Sequence, residues 1–448
     1  MIKKIIVGMI LFSQIVFGQN YVKGTMNPVN NQFKWVILYQ LKGAEQIYIG
    51  NSTLNDGAFN IAIPSTAPAG LYRLTFKMDQ KSQINFIYNK QNVEVTFNPL
   101  KPTESVKFLT SDENILYSNY LKTSFKLQHK LDSLQLAYFN KNKKYELKVI
   151  SKKYKSLLLK YKNFQKENET KSNGWVSNHY IIAGQNYYPS HLLNTPQEFL
   201  NSKKQHYFDF INFEDEVLKN SIFITEKVIE YIFYRSISDD VEVQNKLYEK
   251  SIKELMVLVG NDNQLKSDIL TTILYNFIQV ENATLMEDVL NNYYIKLPKE
   301  FQNVEVIQKA KSKLKLAIGK TAPEITWEEN GVTKKLSDIN IADYYILVFW
   351  STGCSHCLHE IPLLYTFSKT LKNVHVIGFT LENDDVGFKK YAPMYPEWTN
   401  ILGLKRWENA IAKDYQITST PTYFILDKNK KIIAKPIHIE NVKDFFKN

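Results

Sequence analysis

Two cysteines in 448 residues are too few to build a disulfide scaffold. Beyond the first residues, no apolar run approaches the ~20 residues that a membrane-spanning helix needs. Acids trail bases, 45 against 56, which leaves a formal charge of +11. What is plentiful excludes disorder, since 44% of the chain is apolar and 13% aromatic. At roughly 100–200 residues per domain, this length predicts two to four domains.

The first eighteen residues carry Lys3 and Lys4, then an apolar run from Ile5 to Leu11 and another from Ile15 to Phe17, and end on the small Gly18. This is the layout of a signal peptide. A retained anchor is the competing reading, but the run is short and is broken by Ser13 and Gln14. The expectation is export to the periplasm or cell envelope with cleavage near Gly18–Gln19, a mature charge of +9 and no integral span. No cysteine lies near the cleavage site, which excludes a lipid-anchored form.

Three patterns follow. Residues 19–110 show short alternating apolar runs (35–39, 46–49, 59–63, 71–76, 93–97), parted by breakers such as Asn55-Asp-Gly57 and the Pro64–Gly70 stretch, and read as a small β-sandwich. Residues 111–316 turn to three- and four-residue apolar spacing with few Gly or Pro and read as all-α: one or two long amphipathic helices between 121 and 159, a break at Asn173-Gly174, then helices near 214–233, 245–259 and 266–280. Residues 317–448 read as an α/β layer. Their strands are expected at 323–327, 344–350, 374–380, 421–426 and 431–434, with helices to about 371, near 409–415 and at 441–447.

The charge is local. Between Leu121 and Lys171 stand fourteen lysines and four acids. A lysine face on a long helix is usually solvated surface. The stretch holds no arginine, and an exported protein meets little nucleic acid, so no nucleic-acid partner is expected.

Both cysteines sit in Cys354-Ser-His-Cys357, where a strand pattern gives way to a helix pattern. A thiolate at a helix N-terminus meets unpaired N–H groups and the positive end of the dipole, so Cys354 should ionise below the free-thiol value of ~8.5. A protonated His356 would add to this. Cys357, one turn on, should be the less exposed, resolving thiol. Three other readings compete. A structural disulfide between residues this close would close only a tiny loop and stabilise little. Half a zinc site with His356 and His359 lacks a second C-x-x-C, and the two histidines alternate around the helix. The third reading is an inert pair.

On three ordered motifs, residues from about 318 onward resemble the thioredoxin-like fold in its TlpA/ResA-type branch. Gly319-Lys-Thr-Ala-Pro323 resembles the start of a redoxin domain. Val348-Phe-Trp-Ser-Thr-Gly-Cys-Ser-His-Cys-Leu-His-Glu-Ile-Pro362 resembles the branch's Trp, C-x-x-C and Glu-x-Pro signature. Ile417-Thr-Ser-Thr-Pro421-Thr-Tyr-Phe-Ile-Leu-Asp427 resembles the strand that opens on the cis-proline facing the cysteines. The segments before it resemble, more loosely, the front half of Bacteroidetes-type exported thioredoxin-like proteins, partly on residues 207–220.

The resemblance implies a set of roles. Cys354 is the nucleophile, Cys357 the resolving thiol, Pro421 the cis-proline, and Glu360 a carboxylate that exchanges protons with the resolving thiol. Ser355 and His356 tune the redox pair, and Thr420 and Trp350 belong to the substrate-binding edge. The plainer reading of Glu360 is a solvated first-turn carboxylate. Ser-His replaces the commoner Gly-Pro, and Lys430 replaces a usual turn glycine. The His variant generally strengthens oxidation, so reductant and oxidant both stay open.

The chain is thus expected to be an exported thiol:disulfide oxidoreductase. It would act on protein thiols or disulfides, be recharged by a membrane or periplasmic thiol reductant, and use the Cys354–Cys357 pair with no bound cofactor and no metal. A peroxiredoxin-like antioxidant enzyme is the first alternative. It needs a proline seven residues before the reactive cysteine, where Leu347 stands, although Ser351 matches its hydroxyl position. A non-catalytic binding or redox-sensing envelope protein is the second.

Overall fold

A computed structural model describes residues 20–447 apart from 80, 141–143 and 236, so the expected signal peptide lies outside the described residues. Contacts divide the chain after Thr272 into two compact units. The elements follow the expected order of β, all-α and α/β. The helices Ala283–Asn292 and Val304–Lys315, which the sequence pattern groups with the central region, fall in the second unit.

The first unit opens with eight strands: β1 (Tyr21–Met26), β2 (Trp35–Lys42), β3 (Glu45–Thr53), β4 (Ala58–Ala62), β5 (Gly70–Thr75), β6 (Gln83–Tyr88), β7 (Val93–Phe97) and β8 (Lys107–Phe108). They form two four-stranded sheets, ordered β4-β1-β7-β8 and β3-β2-β5-β6. Strict alternation in β1 and β7 aims Val22, Val93, Val95 and Phe97 at one core, which Leu38, Tyr72, Leu74 and Phe86 fill from the other sheet. Strands β1 and β6 escape the sequence pattern because polar residues at Lys23, Thr25 and Asn85 thin their apolar content.

The two long helices are Asp112–Phe139 and Lys144–Lys171. Tyr120 donates to Gln165 at 2.8 Å, while Leu127, Leu131, Tyr154, Leu158 and Tyr161 share one cluster, so the pair runs antiparallel. The expected helix over 214–233 is in fact two, Glu216–Lys219 and Phe223–Tyr234, because Ser221 turns the chain by donating to Leu218 O.

A buried polar clamp joins sandwich and helices within this unit. Asn114 accepts from Ile87 N at 2.8 Å and donates to Ile87 O at 2.7 Å, which satisfies both backbone groups of a strand residue. Beside it, buried Glu113 accepts from Ser177 N at 2.6 Å and from Asn89 at 3.1 Å.

The second unit carries a hairpin of β9 (Thr326–Glu329) and β10 (Val332–Lys335) and a five-stranded sheet. The sheet strands are β11 (Tyr344–Trp350), β12 (Val374–Glu382), β13 (Thr399–Leu404), β14 (Thr422–Asp427) and β15 (Ile432–Ala434), in the order β13-β12-β11-β14-β15. Strands β11, β12 and β13 are mutually parallel, and β14 and β15 are antiparallel additions. Central β11 is buried on both faces: Tyr345, Leu347 and Phe349 enter one cluster, and Ile346, Val348 and Trp350 the other. Two expectations need correction. The strand expected at 323–327 begins only at Thr326 and pairs in the hairpin, and β13 emerges from a stretch that reads as a polar insertion because Pro393, Pro396 and Asn400 surround its short apolar core.

Lys430 occupies the left-handed region, at φ 61°, which explains the glycine usual there. It is buried, donates from Nζ to Ile339 O at 2.7 Å and lies 3.9 Å over the Tyr345 ring, so its side chain offsets the backbone penalty.

Asn114→Ala removes both partners of Ile87 in a dry site. It should destabilise the first unit by about 1–3 kcal/mol in urea denaturation while leaving Cys354 alkylation rates unchanged. A loss under ~0.5 kcal/mol would show that water replaces the amide and that the clamp is not structural.

Candidate active site

Parallel strands β11, β12 and β13 point their carboxyl ends to one edge of the sheet, and there the chain leaves β11 for the helix Ser355–Ser368. The intervening loop is held from below. Glu382, at the end of β12, accepts from Thr352 N at 2.6 Å and from Ser351 Oγ at 3.3 Å, and Cys354 N donates to Ser351 O at 3.2 Å. Gly387 closes the other side. A Cβ there would stand 2.1 Å from Thr352 Oγ1 and 3.1 Å from Thr352 Cβ, so glycine is required by proximity.

Cys354 is the N-cap residue of this helix, with extended backbone, and its sulfur accepts from Cys357 N at 3.4 Å. It is half-buried, whereas Cys357 is fully buried. Burial alone would raise the Cys354 thiol. The side chain and N–H of Cys357, the Thr420 side chain and the His356 N–H outweigh that and hold it below its ordinary value. Cys357 moves the opposite way: burial, then its hydrogen bond to Cys354, push it up to about 12. One thiol of the pair is therefore ready to ionise while the other keeps its proton.

Ser355 and His356 are exposed on the first turn, and His356 reaches the sulfur through its backbone rather than its ring. Thr420 and Pro421 face the pair across a cis peptide bond, with Cys354 Sγ donating to Thr420 O at 3.3 Å. Trp350 is 1% exposed and packs edge-on against Tyr391 and Tyr395, so it supports the site from within the core instead of presenting its ring to a partner.

Glu360 is not a solvated first-turn carboxylate. Its side chain is 13% exposed, and Oε2 accepts both from the Tyr423 hydroxyl at 2.8 Å and from Ile439 N at 3.0 Å. Ile439 begins the C-terminal helix Ile439–Lys447, and His438 Nδ1 stands 3.7 Å from Oε1. Burial, and next the Glu360 carboxylate, push the Tyr423 phenol upward; Cys357 is among the groups that act on it. Tyr423 thus stays protonated and donates to the carboxylate.

Sequence reasoning missed Tyr423, Glu382 and Gly387. The signal for Tyr423 was available, since it stands two residues after Pro421 on a strand and so on the same face. Glu382 and Gly387 carried none, because their roles arise from strand ends meeting in space. Among the described residues no group of three or more His, Cys, Asp or Glu side chains is placed to hold a metal ion.

In iodoacetamide titrations, Cys354 should alkylate with a midpoint below the ordinary thiol value of ~8.5, with Cys357 unreactive in the folded protein across the same range. The sign follows from the shift: a lowered thiol gains thiolate at lower pH. A midpoint at or above the ordinary value would contradict the site as described. Gly387→Ala should weaken alkylation and cost about 1–3 kcal/mol in stability through overpacking against Thr352.

A family profile described as thioredoxin-like matches residues 342–432, which covers β11 to the start of β15. The chain is 30% identical over 125 residues, 27% of its own length and 70% of the relative's, to the thiol-disulfide oxidoreductase ResA of Bacillus thuringiensis. It is 28% identical over 135 residues, 29% of this chain and 76% of the relative, to the thioredoxin-like protein YneN of Bacillus subtilis. Among solved structures, a domain of a possible thiol-disulfide isomerase from Cytophaga hutchinsonii is 34% identical and covers 29% of this chain and 91% of that one, with a TM-score of 0.26. The extent and identity of the match to ResA establish the relationship carried by the C-terminal unit: the chain belongs to the ResA-type thiol-disulfide oxidoreductases of the thioredoxin-like family.

Proposed function

We propose that this is an exported oxidoreductase of the periplasm or cell envelope that exchanges disulfides with protein partners through Cys354-Ser-His-Cys357. The observation that carries the reading is the opposed setting of two thiols one helical turn apart, one half-buried and lowered, the other buried and raised. The signal-peptide layout of residues 1–18 supports export. Among the described residues no helix is long and apolar enough to cross a membrane.

The chemistry follows from that asymmetry. The Cys354 thiolate attacks one sulfur of a partner disulfide; a new S–S bond forms, the partner's bond breaks, and its other sulfur leaves as a thiolate that takes up a proton. Cys357 then loses its proton and attacks Cys354 Sγ, releasing the second partner thiolate. Two electrons pass from the cysteine pair to the partner; the reverse sequence oxidises a dithiol. Because the Cys357 thiol is pushed up to about 12, the second step needs a base. Glu360, three residues along the helix from Cys357 and an acceptor from the Tyr423 hydroxyl, is the group we assign to take that proton.

Thr420 offers backbone groups to a bound partner strand, and Pro421 shapes that edge. Trp350 supports it from the core, while Ser355 and His356 set the N–H groups and the exposed turn that tune the pair. No further cofactor is invoked, the cysteine pair itself being the redox group. A membrane or periplasmic thiol reductant would recharge it. The sandwich and helices are assigned to docking or positioning the partner.

Insulin reduction tests the reading. Cys354→Ala should abolish it, and Cys357→Ala should accumulate a mixed disulfide with its partner, resolved on non-reducing gels. Glu360→Gln should slow the resolving step by about 10- to 100-fold and leave the first attack largely intact. Full activity of Cys354→Ala would overturn the proposal, and equal slowing of both steps would remove Glu360 from the proton path.

A further inference from the structure

We propose that Arg406 selects partners that carry an acidic residue beside the attacked disulfide, a specificity role that rests on the thiol-exchange reading above. Strand β13 is parallel to β11, so its carboxyl end delivers residues 404–406 to the same sheet edge as Cys354. There the backbone takes two successive left-handed residues, Lys405 at φ 71° and Arg406 at φ 42°. Neither is glycine, and each such residue costs about 1–2 kcal/mol. The turn that results, Arg406–Glu408, is closed by Glu408 N to Lys405 O at 2.8 Å and by Asn409 Nδ2 to Leu404 O at 2.9 Å.

This backbone lays the Arg406 guanidinium against the reactive loop. Nη2 lies 3.9 Å from the point a Cβ would occupy on Gly353, the residue before Cys354. Nε is buried with no hydrogen-bond partner, and the guanidinium takes part in no side-chain hydrogen bond or ion pair among the described residues. The acids closest in the chain or the loop are engaged elsewhere: Glu408 pairs with Lys413, and Glu382 accepts from Thr352 N and Ser351 Oγ. A half-buried arginine whose guanidinium meets no acid among the described residues presents a planar fork that matches a carboxylate in bidentate geometry.

The carboxylate is supplied by the partner polypeptide. It takes no part in the electron balance, which remains thiolate attack and release of the partner's thiolate. It holds the partner so that its disulfide meets Cys354.

The test uses the full reduced chain in single turnovers against two disulfide peptides that differ only in Asp or Asn next to one cysteine. The wild type should react about tenfold faster with the Asp peptide at low salt, equivalent to about 1.4 kcal/mol. That ratio should shrink as ionic strength rises. Arg406→Gln should bring it to about one, Arg406→Glu should invert it, and Arg406→Lys should retain part of it. A ratio near one in the wild type, or one that persists in Arg406→Gln, overturns the proposal. No reaction of the wild type with either peptide would overturn the thiol-exchange reading together with it, an outcome distinct from a lost preference.

Discussion

Glu360 accepts from the Tyr423 hydroxyl and the Ile439 amide with the same oxygen, and through that carboxylate three elements are fixed to one another: the helix bearing both cysteines, the strand after Pro421, and the C-terminal helix. Each donor is otherwise shut away from water, so loss of the carboxylate leaves two buried polar groups unsatisfied, at about 1–3 kcal/mol each. Cys357 is buried in the same cluster as Tyr423 and Ile439, and that burial is the first cause of its resistance to ionisation.

The sheet explains why the rest assembles around that junction. Three parallel strands end at one edge, and each contributes a different kind of group there: β11 the reactive loop, β12 the carboxylate of Glu382 that holds the loop, β13 the turn that carries Arg406. Ligand sites form at the carboxyl ends of such strands because the loops that follow are free to vary. The antiparallel β14 and the cis Thr420–Pro421 turn that enters it then supply Thr420, Pro421 and Tyr423 from the other side of β11.

How much of this could be read from the residues depended on whether the signal was local. Cys354 and Cys357 could be placed because a strand pattern, a C-x-x-C and a helix pattern follow one another in the chain. Pro421 and Glu360 came through family resemblance, but the partners of Glu360 lie 63 and 79 residues away, so the residues alone left a solvated carboxylate open. Strand β13 was missed because its neighbours are prolines and polar groups, and its strand character comes from pairing with β12. The helix break at Ser221 was invisible because a serine that folds back on its own carbonyl looks, in one dimension, like any polar residue of an amphipathic helix.

The contact between Cys354 Sγ and Thr420 O has a thermodynamic consequence. A protonated sulfur donates to that carbonyl and occupies an acceptor on the edge assigned to the partner strand. Ionisation removes the donor and frees the acceptor. If a partner strand pairs at that edge as proposed, proton release and strand pairing bear on the same carbonyl and are linked functions. A partner strand at that edge would then meet the carbonyl at its freest when the sulfur is most nucleophilic, a coupling that requires no movement of the backbone.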